Sequence, residues 1–408
     1  MSTPTSVEPR ASGGPRLIDR LPADGWGTFC QLYVLTLAGL AVAVASRFRT
    51  FLHERFTFDG NYIGATLQFP DKSLDPEDPF RNIALVYRFL GLTHSADLAA
   101  MLALAVFGVA VFAALRWHEL AQLTPIGLGI ITVCYLLALI YLAQYSKEFV
   151  SLVLVALVLL LPSGRWPEIA LVGGMIAYAV TIRPYWGIVV GLYVVGRILL
   201  PRIRGIIPVL ILVALTYVGL QLAFHGIIGE SLSYPRVSVN DTRAGVNVTV
   251  GSLIVDFLPN AVGLEWLNAF LVFLSLVAPW PLLLGGSVTY LVMGALLLFL
   301  WGTLFWTIHR LGRENAAHRN RRIASPSAFA PLRDRSPRPE RAVALLLALV
   351  IVQAIFEPDY GSYVKHLAPV LPLFLTLLPL KPRFPLFGED ESVVVQPASP
   401  PRTGRALS

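Results

Sequence analysis

Charged side chains are scarce in this sequence. Only 14% of the 408 residues are Asp, Glu, Lys or Arg, whereas about a quarter of an ordinary soluble domain is charged. A solvated surface cannot be built from so few charges, and 55% of the chain is hydrophobic. The composition therefore excludes collagen-like, disordered and nucleic-acid-binding chains, and it indicates a protein that lies in a membrane.

Cysteine is nearly absent, and the glycine-rich phosphate loops of nucleotide-binding proteins are missing. The two cysteines, Cys30 and Cys134, lie inside apolar segments, so we predict neither a disulfide framework nor a metal cluster. The sequence contains no GxGxxG, no Gly-Lys-Ser/Thr loop and no serine-hydrolase or zincin signature. We therefore expect no cofactor and assign no metal ligands, although the sequence leaves a divalent ion open.

Apolar segments of nearly membrane-spanning length recur along the chain. A transmembrane helix needs about 17–25 apolar residues, so the pattern predicts an all-α polytopic integral membrane protein with about ten transmembrane helices. The first segment is long enough to be retained as an anchor rather than removed as a signal peptide. The predicted spans are residues 26–46, 95–115, 124–144, 149–162, 169–182, 186–200, 205–225, 282–308, 342–357 and 366–380.

Two long segments between these spans, 47–94 and 226–281, are predicted to be outer loops with a function, since long loops are uncommon without one. The polar segment 311–340, which belongs to a predicted basic cytoplasmic loop at 309–341, is predicted to be disordered. The predicted parts of the chain are a disordered cytoplasmic tail at 1–25, a transmembrane core at 26–308, a basic cytoplasmic loop at 309–341, a last transmembrane hairpin at 342–380 and a second disordered cytoplasmic tail at 381–408.

The orientation in the membrane follows from the arginines of the segment 310–341. This segment carries nine arginines, and basic residues are in excess in cytoplasmic loops. If the apolar segment 266–278 is an interfacial helix before the eighth span, these arginines lie on the side of the N-terminus. We therefore predict that both termini are cytoplasmic. Since only four of the 32 basic residues are lysines, as in G+C-rich bacteria, we expect the bacterial cytoplasmic membrane.

Several predicted spans are shorter than the hydrocarbon core is thick. The run Phe149–Leu161 has 13 apolar or small residues, about 20 Å of helix, whereas the hydrocarbon core is about 30 Å thick. The hairpins at 169–201 and 342–380 are short in the same way. Their charged outer ends should lie below the membrane surface, where ionisable residues line a cavity or pair with one another. The predicted cavity residues are Lys147, Glu148, Arg183, Asp359, Lys365 and His366.

Each candidate also has a plain structural interpretation. The acidic run from Asp71 to Asp78 is predicted to be a solvated loop face rather than a metal site. The other structural alternatives are a snorkelling helix end for Lys147 and Glu148, a hairpin anchor for Arg183, a histidine at a helix start for His366 and a turn residue for Asp59. The functional interpretation depends on these residues lying together.

Fixed cations and carboxylates in a membrane cavity suit a substrate that is both amphipathic and anionic, such as a sugar on a polyprenyl phosphate or diphosphate. Arginine and lysine can neutralise a departing phosphate. A carboxylate or a histidine can take the proton from an attacking sugar hydroxyl. The charge pattern therefore predicts a glycosyl transfer at the membrane.

Five short motifs are spaced along the predicted core. They are Asp-x-x-Tyr at 59–62, Ser-Lys-Glu at 146–148, Arg-Pro at 183–184, Pro-Trp-Pro at 279–281 and Tyr-x-x-His-x-x-Pro at 363–369. In this layout, over residues 26–380, the chain resembles the EpsG/Wzy-type polysaccharide polymerases and, more loosely, the GT-C class of polyprenyl-dependent glycosyltransferases. The resemblance implies that lipid-linked glycans are joined or transferred on the outer face of the cytoplasmic membrane. It also implies an acidic catalytic residue in the first outer loop, where Asp59 lies, with Asp71, Asp75, Glu77 and Asp78 as weaker candidates.

The predicted site combines these residues in three roles. The general base is Glu148, Asp59 or His366. The phosphate ligands are Arg183 and Lys147, with help from Lys365 or Arg236, and Asp359 lies beside them. The aromatic residues that could stack on sugar rings are Tyr145, Tyr185, Trp186, Tyr360 and Tyr363.

Two other functions stay open at the level of the sequence. A transporter or flippase of lipid-linked sugars would use the same charges as a path, but it requires polar residues in the inner halves of the spans, which are almost wholly apolar. A non-catalytic scaffold would tolerate single charge substitutions. The expected partners are a polyprenyl-linked glycan, membrane lipids and other envelope-polysaccharide assembly proteins, with no nucleic acid.

Overall fold

The computed structural model describes residues 25–69, 74–75, 78–203, 205–244, 253–258, 263–324 and 338–378. The regular elements in these ranges are helices, and Leu253 and Asp359 form an isolated β-bridge. The all-α fold class is thus confirmed for this part of the chain. The α-helices are α1 (Gly25–Phe48), α2 (Glu54–Leu67), α3 (Pro79–Phe89), α4 (Ala96–Leu115), α5 (Pro125–Tyr141), α6 (Glu148–Leu160), α7 (Arg165–Thr181), α8 (Trp186–Leu199), α9 (Ile206–Ala223), α10 (Tyr234–Ala244), α11 (Glu265–Val277), α12 (Trp280–Leu284), α13 (Val288–Ala324), α14 (Arg338–Phe356), α15 (Tyr360–Leu367) and α16 (Leu371–Leu375).

Five of the described helices are long and apolar enough to cross a membrane. They lie at Gly25–Phe51, Ala96–Leu115, Ile206–Ile227, Val288–Arg310 and Arg338–Phe356. Their length and composition are those of a membrane-embedded helical protein. Four of the other predicted spans coincide with the shorter helices α5, α6, α7 and α8. The count of ten spans therefore stays a prediction.

Helix α14 lies at the centre of the bundle. Its residues Arg341–Ile355 are all buried. In its most apolar 18-residue stretch 83% of the residues are buried, compared with 17% in the helix Ile206–Ile227, which contains α9. Glu340, near the start of α14, accepts a hydrogen bond from Arg197, near the end of α8. Phe356, at the end of α14, stacks on Tyr185, which precedes α8. The two helices are therefore antiparallel, and their ends define the two ends of the bundle.

Glu168 joins four helices at the end of the bundle where α8 finishes. It accepts hydrogen bonds from Tyr193 (2.6 Å), Arg197 (3.1 Å) and Arg341 (2.8 Å). Arg341 also donates to the carbonyl of Leu161 at the end of α6, a carbonyl that has no partner within its own helix. These contacts connect α6, α7, α8 and α14 at this end of the bundle.

The last predicted span, 366–380, is not one continuous helix. Helix α15 is followed by a 3₁₀ turn at Ala368–Val370 and then by α16. Pro369 and Pro372 interrupt the helix because proline lacks the N–H group that an α-helix interior requires. Residues 379 and 380 lie outside the described residues.

The segments predicted as loops contain helices. The segment 47–94 holds α2 and α3, and 226–281 holds α10 and α11. Helix α11 fits the helix predicted at 266–278, and it packs against α9 and α14. Helix α13 continues to Ala324, and no proline interrupts the chain between Val288 and Pro326. The first part of the predicted basic disordered loop is therefore helical. Of the tails predicted at 1–25 and 381–408, residues 1–24 and 381–408 lie outside the described residues, and Gly25 begins α1.

Candidate functional site

Charged side chains from separate parts of the chain meet at one end of the bundle. Asp59 of α2 pairs with Lys365 of α15. The same Asp59 carboxylate lies 3.9 Å from the ammonium of Lys147, which directly precedes α6. Glu148, the first residue of α6, pairs with Arg183 in the turn between α7 and α8. Four of the residues predicted for one cavity, Lys147, Glu148, Arg183 and Lys365, therefore lie in this group.

His366 of α15 connects this group to the end of α14. Its Nε2 lies 3.5 Å from Oε1 of Glu148, and its Nδ1 is hydrogen-bonded to Glu357, which follows α14 directly. We refer to the whole group as the ion cluster. It consists of Asp59, Lys147, Glu148, Arg183, Glu357, Lys365 and His366.

The floor of the ion cluster is formed by Glu148, Arg183 and Glu357. Their side chains are 1%, 8% and 4% exposed. Arg183 donates hydrogen bonds to Glu148 and to the hydroxyl of Tyr185. Buried charges are tolerated when they are paired and hydrogen-bonded. The floor therefore holds the Arg183 guanidinium in one position.

The rim of the ion cluster is formed by Asp59, Lys147, Lys365 and His366. Their side chains are 18%, 18%, 26% and 21% exposed. Two lysines share the one carboxylate of Asp59. An anion at the rim could accept hydrogen bonds from both ammonium groups.

The turn before α6 is held by a buried tyrosine. The hydroxyl of Tyr87 accepts a hydrogen bond from the backbone N–H of Ser146 (2.9 Å) and donates to the carbonyl of the same residue (3.0 Å). The Ser146 hydroxyl accepts a hydrogen bond from the backbone N–H of Glu148 (3.1 Å). Lys147 lies with its ammonium 3.6 Å from the ring centroid of Phe80, a favourable cation–π geometry. These contacts place Lys147 and Glu148 on the rim and the floor respectively.

Burial and neighbouring charges set the ionisation of the rim. The pKa of Lys147 is lowered to about 8, chiefly by burial and also by the positive charges of Arg183 and Lys365. Burial alone would raise the pKa of Asp59, but the positive charges of Lys365 and Lys147 outweigh it and lower that pKa. At neutral pH Asp59 is therefore ionised, whereas Lys147 is mostly charged and loses its charge in mildly alkaline solution.

Gly60 allows α2 to approach the turn that carries Lys147. A Cβ at Gly60 would lie 2.7 Å from Oε1 of Gln144 and 3.2 Å from the carbonyl oxygen of Tyr145, whereas a Cβ at Gly64 would meet the Tyr145 ring at 3.8 Å. We expect Gly60→Ala to displace the adjacent rim carboxylate and to lower the melting temperature in detergent. The control Gly64→Ala should keep or raise it, because alanine is favoured over glycine in a helix by about 1 kcal/mol. Equal melting temperatures for the two variants would contradict this.

Two predicted polar residues lie outside the ion cluster. Arg236, predicted as a phosphate ligand, is buried and donates instead to Asp256 and to the carbonyl of Ala354. Asp359, predicted beside the phosphate ligands, caps the start of α15 by accepting hydrogen bonds from the backbone and the hydroxyl of Ser362. Both side chains satisfy groups at helix ends that have no partner within their own helix.

The predicted aromatic residues differ in their positions. Tyr185 contacts the ion cluster directly, since it accepts a hydrogen bond from Arg183. The other four, Tyr145, Tyr360, Tyr363 and Trp186, are buried and contact Leu92, Ser275, Trp301 and Tyr178 respectively. Tyr185 is therefore the predicted aromatic that the fold places at the site.

The acidic run of the first predicted loop has structural contacts. Asp78 accepts hydrogen bonds from two backbone N–H groups at the start of α3, and Asp75 lies 3.5 Å from Arg81. Asp71 and Glu77 lie outside the described residues. The described part of the run thus agrees with its structural interpretation. Within the part of the chain that the structure describes, no group of three or more His, Cys, Asp or Glu side chains is arranged to hold a metal ion.

Glu357 is a floor residue that the sequence predictions left without a role. It ends the predicted span 342–357 and lies nine residues before His366. A charge at the outer end of a short span is the same signal that selected Lys147 and Glu148. The contact with the His366 ring, however, depends on how α14 and α15 are packed.

Comparison with known proteins adds nothing to this picture, since no family model, curated protein or solved structure matches the chain.

Proposed function

We propose that the chain is a membrane glycosyltransferase or polymerase that acts on glycans linked to a polyprenyl phosphate or diphosphate. The observation that supports this proposal is the rim, where Lys147 and Lys365 share the single carboxylate of Asp59 above the buried Arg183. A site of this kind suits an anionic group that arrives from the lipid side on an apolar tail. The motif layout, which resembles the EpsG/Wzy-type polymerases, agrees with this chemistry.

In the proposed reaction the two rim lysines bind the phosphate groups of the donor. A hydroxyl of the acceptor glycan attacks the anomeric carbon, and the bond between that carbon and the phosphate oxygen breaks. The polyprenyl phosphate or diphosphate leaves with the electron pair, and Lys147, Lys365 and Arg183 neutralise its growing charge. A rim group, Asp59 or His366, takes the hydroxyl proton. Glu148 acts on Arg183 instead, because it is buried and paired with that residue.

We place the ion cluster at the extracytoplasmic side of the bacterial cytoplasmic membrane. This orientation puts the basic residues in the C-terminal part of α13, including Arg319, Arg321 and Arg322, on the cytoplasmic side, as the distribution of basic residues in membrane proteins favours. It also gives the site access to lipid-linked glycans in the outer leaflet. Cell-envelope or exopolysaccharide assembly is the process in which such a reaction takes place.

The central helix does not favour transport. The eleven residues Ala342–Val352 of α14 are all apolar and buried, and they cover about 16 Å along the helix axis. This stretch separates the Glu168 end of the bundle from the ion cluster. A translocation path for a sugar diphosphate needs polar groups along its length, which this helix does not offer.

The proposal is tested with the purified full-length chain in sealed lipid vesicles. Polyprenyl diphosphate-linked oligosaccharides of differing sugar composition are added as donors and acceptors, and products are detected by mass spectrometry. We expect lengthened or transferred glycans together with released polyprenyl diphosphate. Movement of a fluorescent lipid-linked glycan across the vesicle membrane without any glycan transfer would favour a flippase and overturn the proposal.

The pKa of Lys147 predicts a pH dependence of donor use. Below pH 8 its ammonium is charged and binds phosphate, and as the pH rises through about 8 the charge is lost. We expect kcat/KM, which reports the free enzyme, to fall above pH 8. In Lys147→Arg the falling limb should move to higher pH, because arginine stays charged throughout this range. An unchanged limb in the arginine variant would exclude Lys147 as its origin.

A further inference from the structure

We infer that Glu357 is a positioning residue for His366 and that this pair, rather than Asp59, supplies the general base of the proposed reaction. The inference rests on the proposed function. Glu357 directly follows α14, and His366 lies in the last turn of α15. Their hydrogen bond therefore depends on the way in which these helices are joined and held.

Hydrogen bonds hold each residue of the turn between α14 and α15. The backbone N–H of Glu357 donates to the carbonyl of Gln353 (2.8 Å), which continues the hydrogen-bonding pattern of α14. The carbonyl of Pro358 accepts a hydrogen bond from the backbone N–H of Ile254 (2.9 Å), and Asp359 caps α15. Glu357 is thus held within the floor at a defined position relative to α15.

The contact with Glu357 determines which nitrogen of the His366 ring can take up a proton. When Glu357 is ionised, its carboxylate only accepts hydrogen bonds, so Nδ1 of His366 then carries the hydrogen in this contact. In the neutral ring, Nε2 then holds the lone pair. This nitrogen lies on the side of the ion cluster, 3.5 Å from Glu148 Oε1, and a proton taken up there is stabilised by both carboxylates.

His366 differs from the other rim candidate in its contacts. The carboxylate of Asp59 is paired with two lysines, whereas Nδ1 of His366 contacts a carboxylate, which orients the ring. The side chain of His366 is 21% exposed, so part of it faces the rim. In the reaction the hydroxyl proton moves to Nε2 as the glycosidic bond forms, and it is released to solvent after polyprenyl diphosphate has left.

Charged groups from several elements face the imidazole ring of His366. They are Glu357 after α14, Glu148 and Lys147 at the start of α6, Arg183 before α8 and the neighbouring Lys365. Three of these groups are cations that oppose protonation of the ring. The carboxylate of Glu357 is in direct contact with Nδ1, so it is the group whose removal should change the behaviour of His366 most.

The first test measures the tautomer of His366 without using activity. In the full-length protein labelled with ¹⁵N-histidine, the His366 resonances are assigned by comparison with His366→Asn. We expect the Nδ1–H form in the wild type, and a shift towards the Nε2–H form in Glu357→Gln, because the amide can donate a hydrogen bond to Nδ1. A wild-type ring in the Nε2–H form, or a Glu357→Gln spectrum identical to the wild type, would overturn the inference.

The second test uses glycan transfer with polyprenyl diphosphate-linked donors. We expect Glu357→Gln to lower kcat by about 10²- to 10⁴-fold, the usual contribution of general acid–base catalysis, with little change in KM. The acidic limb of its pH profile should move to lower pH, since a negative charge that favours the protonated ring is lost. Glu357→Asp should restore part of kcat, and Glu265→Gln, which removes a carboxylate outside the ion cluster, should behave as the wild type.

The two tests separate the inference from the proposed function. The expected tautomer shift without any glycan transfer by the wild type would support the Glu357–His366 pair and refute the proposed function. Glycan transfer that is insensitive to Glu357→Gln, or that loses kcat without a shift in the pH profile, would refute the positioning role and leave the function standing.

Discussion

Lys147→Ala is expected to lower the rate of glycan transfer by about 10²- to 10³-fold, as when one preorganised donor to a developing negative charge is removed from an enzyme. Lys147 lies on the rim, and its ammonium contacts the ring of Phe80. Because the ammonium is partly exposed, its loss leaves no buried charge without a partner. The variant should therefore fold and insert into the membrane as the wild type does.

The measurement is glycan transfer by purified variants, with the amount of folded protein determined by gel filtration. Lys365→Ala should lose activity in the same way, and the double variant should lose less than the sum of the two effects, because both lysines share the carboxylate of Asp59. Arg49→Ala is the control, since Arg49 is a partly exposed cation paired with Asp97 at 3.4 Å. Full activity in Lys147→Ala and Lys365→Ala would remove the rim from the proposed site.

Arg183→Ala is expected to lower the free energy of unfolding by about 3–5 kcal/mol, the usual cost of removing one member of a buried ion pair. The reason is that the side chain of Glu148 is 1% exposed and would stay in the interior without its main partner. A large loss of stability would by itself reduce the amount of folded protein. Loss of activity in this single variant would therefore not identify a catalytic role.

A paired substitution separates stability from function. In Glu148→Leu combined with Arg183→Met, two apolar side chains replace the ion pair, and such replacements are often neutral or stabilising. We expect the double variant to recover most of the stability in thermal unfolding experiments but not to transfer glycans. Arg49→Ala, which breaks an exposed pair, should change the stability by less than about 1 kcal/mol. An Arg183→Ala variant as stable as the wild type would contradict the burial of the Glu148–Arg183 pair.

The positions of the charges in the ion cluster could largely be predicted from the sequence. The short apolar runs end in Lys147 and Glu148, in Arg183, and in Lys365 and His366, and helix length alone indicates that these ends lie at one membrane level. The structure brings all five together. The sequence does not predict which of these charges pair with one another, because pairing depends on the directions in which side chains leave neighbouring helices.

Two residues predicted for the site make contacts elsewhere. Arg236 was predicted as a phosphate ligand because it is a cation in an outer segment, yet its contacts are with Asp256 and with the end of α14. Tyr363 is likewise in a motif with His366, but its hydroxyl bonds to Trp301 in the core. Residues three apart on a helix need not face the same partner when the helix is enclosed on several sides.

The sequence by itself determined that this is a helical membrane protein and which helices are too short, because these properties follow from composition and from the rise per residue. It also determined which charged residues lie at the ends of these short helices. Only the tertiary structure decided that Asp59 joins two lysines, that Glu148 and Arg183 form a buried floor, and that Glu357 contacts His366. These contacts join residues between 9 and 306 positions apart in the chain, and such pairs are set by the packing of helices rather than by local sequence.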